Sequence, residues 1–277
     1  IFADDYVDME FGTGCVKVTP AHDPNDFEMA ERNNLEILNI MNDDGTFNEN
    51  VPEEFIGMDR FKAREKIVKK LQELSLIEKI EEHIHKVGFS ERTNAIIEPR
   101  LSKQWFLKMD KFAKSALSVV AEDKIKFHPE RWSKIYNHWL KNIKDWCISR
   151  QLIWGHQIPV WYNGEEIYCD TIPPEGEGWI QDSDVLDTWF SSWIWPLATL
   201  GWPDETEDLK RFYPTQDIVT GPDIIFFWVA RMIMSGLHFK DEIPFSNVYF
   251  TSIIRDSEGK KMSKSLGNSP DPLDLFD

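Results

Sequence analysis

The chain has 277 residues, 42% of them apolar and 13% aromatic, enough to bury one large core or two ordinary ones, which excludes a disordered segment. Its 48 acidic side chains against 31 basic ones leave a net charge of −17, which argues against a generally basic nucleic-acid coat. No apolar run approaches the roughly 18 uncharged residues of a membrane helix, nothing at the start resembles a signal peptide, and Cys15, Cys147 and Cys169 form no Cys-x-x-Cys pair, so a soluble cytoplasmic protein without a membrane partner is expected.

The sequence opens on Ile1 instead of a Met, at IFADDYVDMEFGTG, and its last residues, DPLDLFD, do not finish a helix, so it reads as a piece of a longer protein. Residues 6 to 19 alternate around Gly12 and Gly14, which predicts a strand bent or bulged at the glycines and a buried Cys15. A helix follows, with Asp23 as N-cap, Pro24 as N1, Asp26 as N3, and Asn33 and Asn34 at its end. A second helix is predicted from Asp59 to Leu74, with Phe61, Ala63, Ile67, Val68 and Leu71 in helical spacing. A strand is predicted over 77 to 87; its His83 and His85 share a face but lack a third ligand, and no metal site is expected.

A domain boundary is placed near residue 95, dividing 1–95 from 96–277. Beyond it, Phe112, Ala116, Val119 and Val120 mark an amphipathic helix, 129 to 150 reads as a helix opened by Pro129, and QIPVWY as a short strand. The acidic stretch 163–183 reads as a loop. Finally DIVT and SNVYF read as buried strands flanking the long apolar helix PDIIFFWVARMIMSGLHF, an order that implies a parallel α/β sheet. Charge is unevenly spread: residues 60 to 162 hold 21 basic and 12 acidic side chains, an excess suited to a polyanion or simply to solvated helix faces.

The most specific chemical signal is Lys261-Met262-Ser263-Lys264-Ser265, after a turn at Glu258-Gly259 and a strand. Two lysines on a Gly-flanked loop suit a polyphosphate whose charge moves onto a leaving pyrophosphate. The segment RDSEGKKMSKSLGN resembles the K-M-S-K-S loop of class I aminoacyl-tRNA synthetases. The segments TGPDIIFFWVARM, DVLDTWFSS, DWCISRQLIWGHQIP, SKQWF and GTGCVKVTPAHDPNDFE are similar to that family in the same order, over essentially the whole chain. Isoleucine members usually carry D-Q-x-R-G-W-F where this sequence has DIIFFW, and P-G-H where it has Pro20-Ala-His22, so the resemblance favours the valine branch.

The resemblance implies the second half of a Rossmann-type catalytic domain at 96–277 and the C-terminal part of a β-barrel-like editing domain at 1–95. It implies ATP (with Mg2+), valine and tRNA(Val) as ligands, and a monomer, as is usual in the family. Lys261 and Lys264 would act on the phosphates, with Gly221, Asp223, Met262, Ser263 and Ser265 about the ATP or adenylate; Trp189, Ile224 and Trp228 would line the valine pocket. An apolar pocket cannot strongly reject an isostere that adds a hydroxyl, a limit known for the valine enzyme in particular, so hydrolysis of threonyl-tRNA is needed. Phe11, Lys17, Thr19, Asp23 and Asp26 would line that editing site, although Asp23 and Asp26 serve equally well as helix caps. His22 beside Cys15 is not read as a thiol hydrolase. Family members often carry Cys-rich zinc knuckles before DTWFSS; only Cys169 stands there, and no structural zinc is expected. The family's H-I-G-H motif does not occur in these residues, so the chain by itself is not expected to charge tRNA. A free-standing aminoacyl-tRNA deacylase and a non-catalytic tRNA- or protein-binding module are the alternatives.

Overall fold

The computed structural model describes residues 1–90, 93–263, 266–271 and 273. The chain divides into two compact units, Ile1–Lys103 and Gln104–Asp277.

In the first unit, α1 spans Pro24–Asn33 and α2 spans Arg60–Glu73. Both begin as the sequence requires: the Asp23 carboxylate accepts from the backbone N–H groups of Asn25 and Asp26, and Asp59 accepts from those of Phe61 and Lys62. Asn34 ends α1 in the left-handed region at φ 51°, a conformation Asn tolerates better than most side chains. Met29 and Ala30 of α1 and Ala63 of α2 are buried. The predicted strands at 6–19 and 77–87 do not form. Among the described residues this unit holds only isolated bridges, Met41 to Phe47, Thr46 to Asp59 and Phe89 to Ile96. A strand needs a partner for its backbone groups, and neither segment has one here. Gly12 and Gly14 do take positive φ, 60° and 67°, but within successive turns, and Cys15 is exposed instead of buried.

The second unit begins with β1 (Phe106–Leu107), α3 (Asp110–Ala121), β2 (Lys126–His128), α4 (Arg131–Lys141), β3 (Trp146–Cys147) and β4 (Ser149–Arg150). The predicted helix over 129–150 therefore stops at Lys141, and its remainder becomes two short strands, each paired antiparallel, β3 with β1. Next come β5 (Val160–Asn163), β6 (Glu166–Cys169), β7 (Ile180–Gln181) and β8 (Val185–Leu186), the last paired with β4. The stretch read as an acidic loop is a loop only in part: β6 and β7 flank β5 in a three-stranded antiparallel sheet, and residues 170–179 between them form no helix or strand. The helices α5 (Thr188–Ser192), α6 (Trp195–Ala198) and α7 (Glu207–Phe212) lead into β9 (Thr215–Thr220), α8 (Ala230–Phe239) and β10 (Phe245–Phe250).

The expected parallel α/β arrangement is present: β10 lies between β2 and β9, parallel to both, with Val248 opposite Phe127 and Ile218. As an outer strand β9 is mostly exposed, whereas Phe245 and Val248 of β10 are buried. The apolar stretch before α8 is not one continuous α-helix. It runs as a 3-10 turn (Pro222–Ile224), then a π-helical turn (Ile225–Val229), then α8. Residues Ala230 to Gly236 are buried without interruption, so α8 packs on all sides, with Met232, Ile233 and Met234 in a core shared with Tyr136, Leu140, Phe245 and Val248. Among the described residues no helix is long and apolar enough to cross a membrane.

Gly236 marks the tightest approach in this core. A Cβ there would lie 2.6 Å from the Tyr213 hydroxyl, 3.0 Å from the Glu242 carbonyl oxygen and 3.0 Å from Pro244 Cδ. Gly236→Ala is expected to lower unfolding stability by about 1–3 kcal/mol, the usual cost of overpacking, despite alanine's better helix propensity. Denaturant titration checks this; equal or greater stability would show that the backbone at Glu242 yields freely.

Candidate functional site

The carboxyl ends of β9 and β10 bring the loop lysine to its partner. From β9 the chain passes through Thr220 and Gly221 into the 3-10 turn that carries Asp223. From β10 it continues as a hairpin in which the Asp256 N–H donates to the Lys260 carbonyl at 2.9 Å and Arg255 bridges Lys261. Gly259, at φ 78°, makes the tight turn. Lys261 Nζ thereby donates to Asp223 Oδ2 at 2.6 Å. That hydrogen bond, aided by the ammonium charge, holds the Asp223 carboxyl below the usual carboxylate range. Its contribution is therefore present above the ordinary carboxylate pKa and lost as pH falls through the depressed one. Both side chains are exposed enough for solvent to weaken the pair, and for another anion to compete for the ammonium.

Gly221 serves this arrangement sterically. Its φ of −73° suits any residue, but a Cβ would come within 2.6 Å of Asp223 Oδ1. Met262 and Ser263 continue the loop half-buried, and the Ser263 N–H donates to Asn268 Oδ1 at 2.9 Å. Lys264 and Ser265 lie outside the described residues.

Trp189, Ile224 and Trp228 do not line a single cavity. Trp189 lines one of about 680 Å³ with Trp139, Trp146, Phe227, Arg150 and Arg231. Trp228 lines another of about 310 Å³ with Trp195, Leu200, Met232 and Phe245, and Ile224 lines neither. The two tryptophans are nonetheless linked, because Trp228 Nε1 donates to the carbonyl of Ser192 at 3.0 Å, at the end of the helix that carries Trp189.

In the first unit, three of the five named residues come together. Asp26, buried in α1, accepts through Oδ2 from the Thr19 N–H at 2.6 Å and the Thr19 hydroxyl at 3.2 Å, while Lys17 Nζ donates to that hydroxyl at 3.3 Å. Asp23 is engaged as the helix cap, and Phe11 is 81% exposed on a separate turn. His22 is occupied structurally: its Nε2 accepts from the Ile40 N–H at 3.1 Å, so Nδ1 carries the proton toward the Pro99 carbonyl at 3.2 Å. An imidazole held at both nitrogens is not a free base.

Sequence reasoning missed the polar centre of the larger cavity. Asp187 caps α5, and its Oδ2 accepts from Trp146 Nε1 and from Arg150 Nη2, both at 2.9 Å. Arg231, on the buried helix α8, lies 3.7 Å from the same oxygen and stacks on the Trp146 ring at 3.5 Å. Burial, with Arg150 adding repulsion, pushes its pKa down to about 10 against the pull of Asp187, and it stays charged at neutral pH. A desolvated cation–π contact is worth about 2 kcal/mol and offsets part of that burial. The signal available in the sequence was a lone arginine in the apolar run FFWVARMIM.

The family model for tRNA synthetases class I (I, L, M and V) matches residues 21–177 and 169–277. The chain belongs to this family. It is 56% identical to the valine–tRNA ligase of Chlorobaculum tepidum and 57% identical to that of Bacillus subtilis, in each case over 100% of this chain and 32% of the relative. The chain thus spans about a third of the length of these curated relatives. Among solved structures it is similar to Mycobacterium tuberculosis methionyl-tRNA synthetase bound by methionyl-adenylate, with 22% identity over 68% of this chain and 33% of that one and a TM-score of 0.48.

Gly221→Ala is expected to displace the Asp223 carboxylate from Lys261, so that Asp223 titrates closer to the ordinary carboxylate range. NMR titration of that carboxyl checks it; an unchanged, depressed pKa would mean the added methyl is accommodated elsewhere.

Proposed function

We propose that this chain is part of an enzyme that activates valine with ATP and transfers it to tRNA(Val). The observation that carries the reading is the meeting of Lys261 and Asp223 at the carboxyl ends of parallel strands, the position at which open α/β sheets bind ligands. The identity to valine–tRNA ligases over the whole chain supports the choice of amino acid.

In the proposed reaction the valine carboxylate attacks the α-phosphorus of ATP, the bond from that phosphorus to the α,β-bridging oxygen breaks, and pyrophosphate leaves with the electron pair. Lys261 exchanges its single aspartate partner for phosphate oxygens, and its point charge counters the charge that grows on the leaving group. Lys264, Met262, Ser263 and Ser265 belong to the same loop reading, and Gly221 keeps the turn beside Asp223 clear. Mg2+ enters with the ATP phosphates; among the described residues no three His, Cys, Asp or Glu side chains gather to hold it. In the second step a hydroxyl of the terminal adenosine attacks the valyl carbonyl and AMP leaves. The isopropyl group is assigned to the neighbourhood of Trp189 and Trp228, which line separate cavities but are joined by the Ser192 hydrogen bond that fixes one indole against the other's helix, with Ile224 on the adjoining turn and outside both cavities.

The first unit is read as the C-terminal part of an editing domain that hydrolyses threonyl-tRNA. Support comes from the linked Lys17, Thr19 and Asp26: the bonds to Thr19 use one oxygen of Asp26, leaving Oδ1 outside them, while Lys17 supplies a cation for the adenosine end. Asp23 fixes the start of the helix that carries Asp26, and Phe11 is the exposed apolar contact. The protein is read as cytoplasmic and monomeric.

Two outcomes test this in the full protein that carries the chain. Lys261→Ala should lower the rate of valine-dependent ATP–pyrophosphate exchange by about 10²-fold with little change in the KM for valine, as expected for a charge used mainly in the transition state. A change in KM alone would contradict the role. Asp26→Ala should let threonyl-tRNA accumulate in a misacylation assay, and undiminished deacylation would remove Asp26 from the editing site.

A further inference from the structure

The loop that carries Lys261 is held by two residues with no role in the reading above. Asp256 Oδ1 accepts from the backbone N–H groups of Glu258 at 3.0 Å and Lys260 at 2.8 Å. Its other oxygen, Oδ2, accepts from Asn268 Nδ2 at 2.7 Å. The Asn268 side chain then reaches the far side of the loop, where Oδ1 accepts from the Ser263 N–H at 2.9 Å and Nδ2 approaches the Lys261 carbonyl at 3.4 Å. One carboxylate and one amide thus span the segment Lys260 to Ser263 from both sides. The carboxyl of Asp256 is held below the usual carboxylate range, first by the Asn268 amide and then by the two backbone donors, so it remains ionised and an acceptor throughout the neutral range.

We infer that Asp256 and Asn268 are positioning residues that set the path of Lys261, Met262 and Ser263 and so aim the Lys261 ammonium at the strand ends. The inference rests on the reading that this loop receives ATP. A lysine stem is long and flexible, and without a fixed backbone its ammonium would sample many positions; a misplacement of about 1 Å can cost about 10²-fold in rate. Neither Asp256 nor Asn268 is placed in contact with substrate. Their effect passes through Lys261.

The donor and acceptor pattern offers a test by exchange. In D256N an amide group faces the Asn268 amide, and in N268D two carboxylates face each other; each single change breaks the central hydrogen bond. In D256N/N268D the central hydrogen bond is restored with its direction reversed: the amide at 256 still accepts from the two backbone donors and gives a hydrogen to the carboxylate at 268, which still accepts from Ser263, and only the long 3.4 Å approach to the Lys261 carbonyl is lost.

In the full protein, each single variant is expected to lower kcat for valine-dependent ATP–pyrophosphate exchange by about tenfold or more, with the KM for valine nearly unchanged, and the double variant to return to within about threefold of wild type. N268D should also recover partly as pH is lowered and one of the facing carboxyls takes a proton. Hydrogen exchange across residues 257–263 reads the brace apart from the reaction: faster exchange in the single variants and recovery in the double one. Single variants with unchanged exchange protection and unchanged kcat overturn the inference, and so does a double variant as slow as the singles. If the brace responds as expected but the wild-type protein shows no valine-dependent exchange, the reading of the loop as an ATP site fails while the brace stands.

Discussion

The parallel register of β9 and β10 is the constraint on which the chemistry of the second unit depends. Thr220 lies opposite Phe250, so both strands deliver their following turns to the same edge of the sheet, and residues 223 and 261 meet although 38 positions separate them in sequence. The register is fixed in turn by α8, whose seven consecutive buried residues leave the crossover little freedom to slide. A one-residue slip in the pairing would turn Val248 out of the core and carry the Lys261 hairpin away from Asp223.

The electrostatic design at this edge is one of modest, exchangeable attraction. A fully buried pair would resist separation, because each ion would then lack both water and partner. Lys261 and Asp223 are instead partly solvated, so a polyphosphate can take the lysine without a large penalty. The contrast with Arg231 is instructive. That guanidinium is buried against Trp146 beside a carboxylate already occupied by two other donors, an arrangement suited to holding the wall of a cavity in place.

Local signals were legible in the sequence wherever the information was itself local. Asp23, Pro24 and Asn34 marked the ends of α1, and Asp59 opened α2, because caps act within one turn. The β9–α8–β10 unit was legible from two short apolar runs around a long one. Errors arose where a segment's state depends on a distant partner. Residues 6–19 alternate as a strand would, yet no neighbouring strand pairs with them, and the glycines bend the backbone into turns. The stretch 163–183 looked like a loop by its acidity, but Trp161 and Tyr162 of β5 supply a partner for both flanking segments. Lys261 was legible as part of a motif; that Asp223 would hold it, that Gly221 would make room, and that Asp256 and Asn268 would brace it follow only from the folded register.

The central claim is that Lys261 divides its time between Asp223 and an incoming polyphosphate. The most direct measurement is the titration of the Asp223 carboxyl, followed by NMR in the full protein with and without ATP. The account predicts that its pKa rises toward and beyond the ordinary carboxylate range when ATP binds, as the lysine leaves and phosphate charge arrives. A carboxyl that stays depressed at saturating ATP would contradict it.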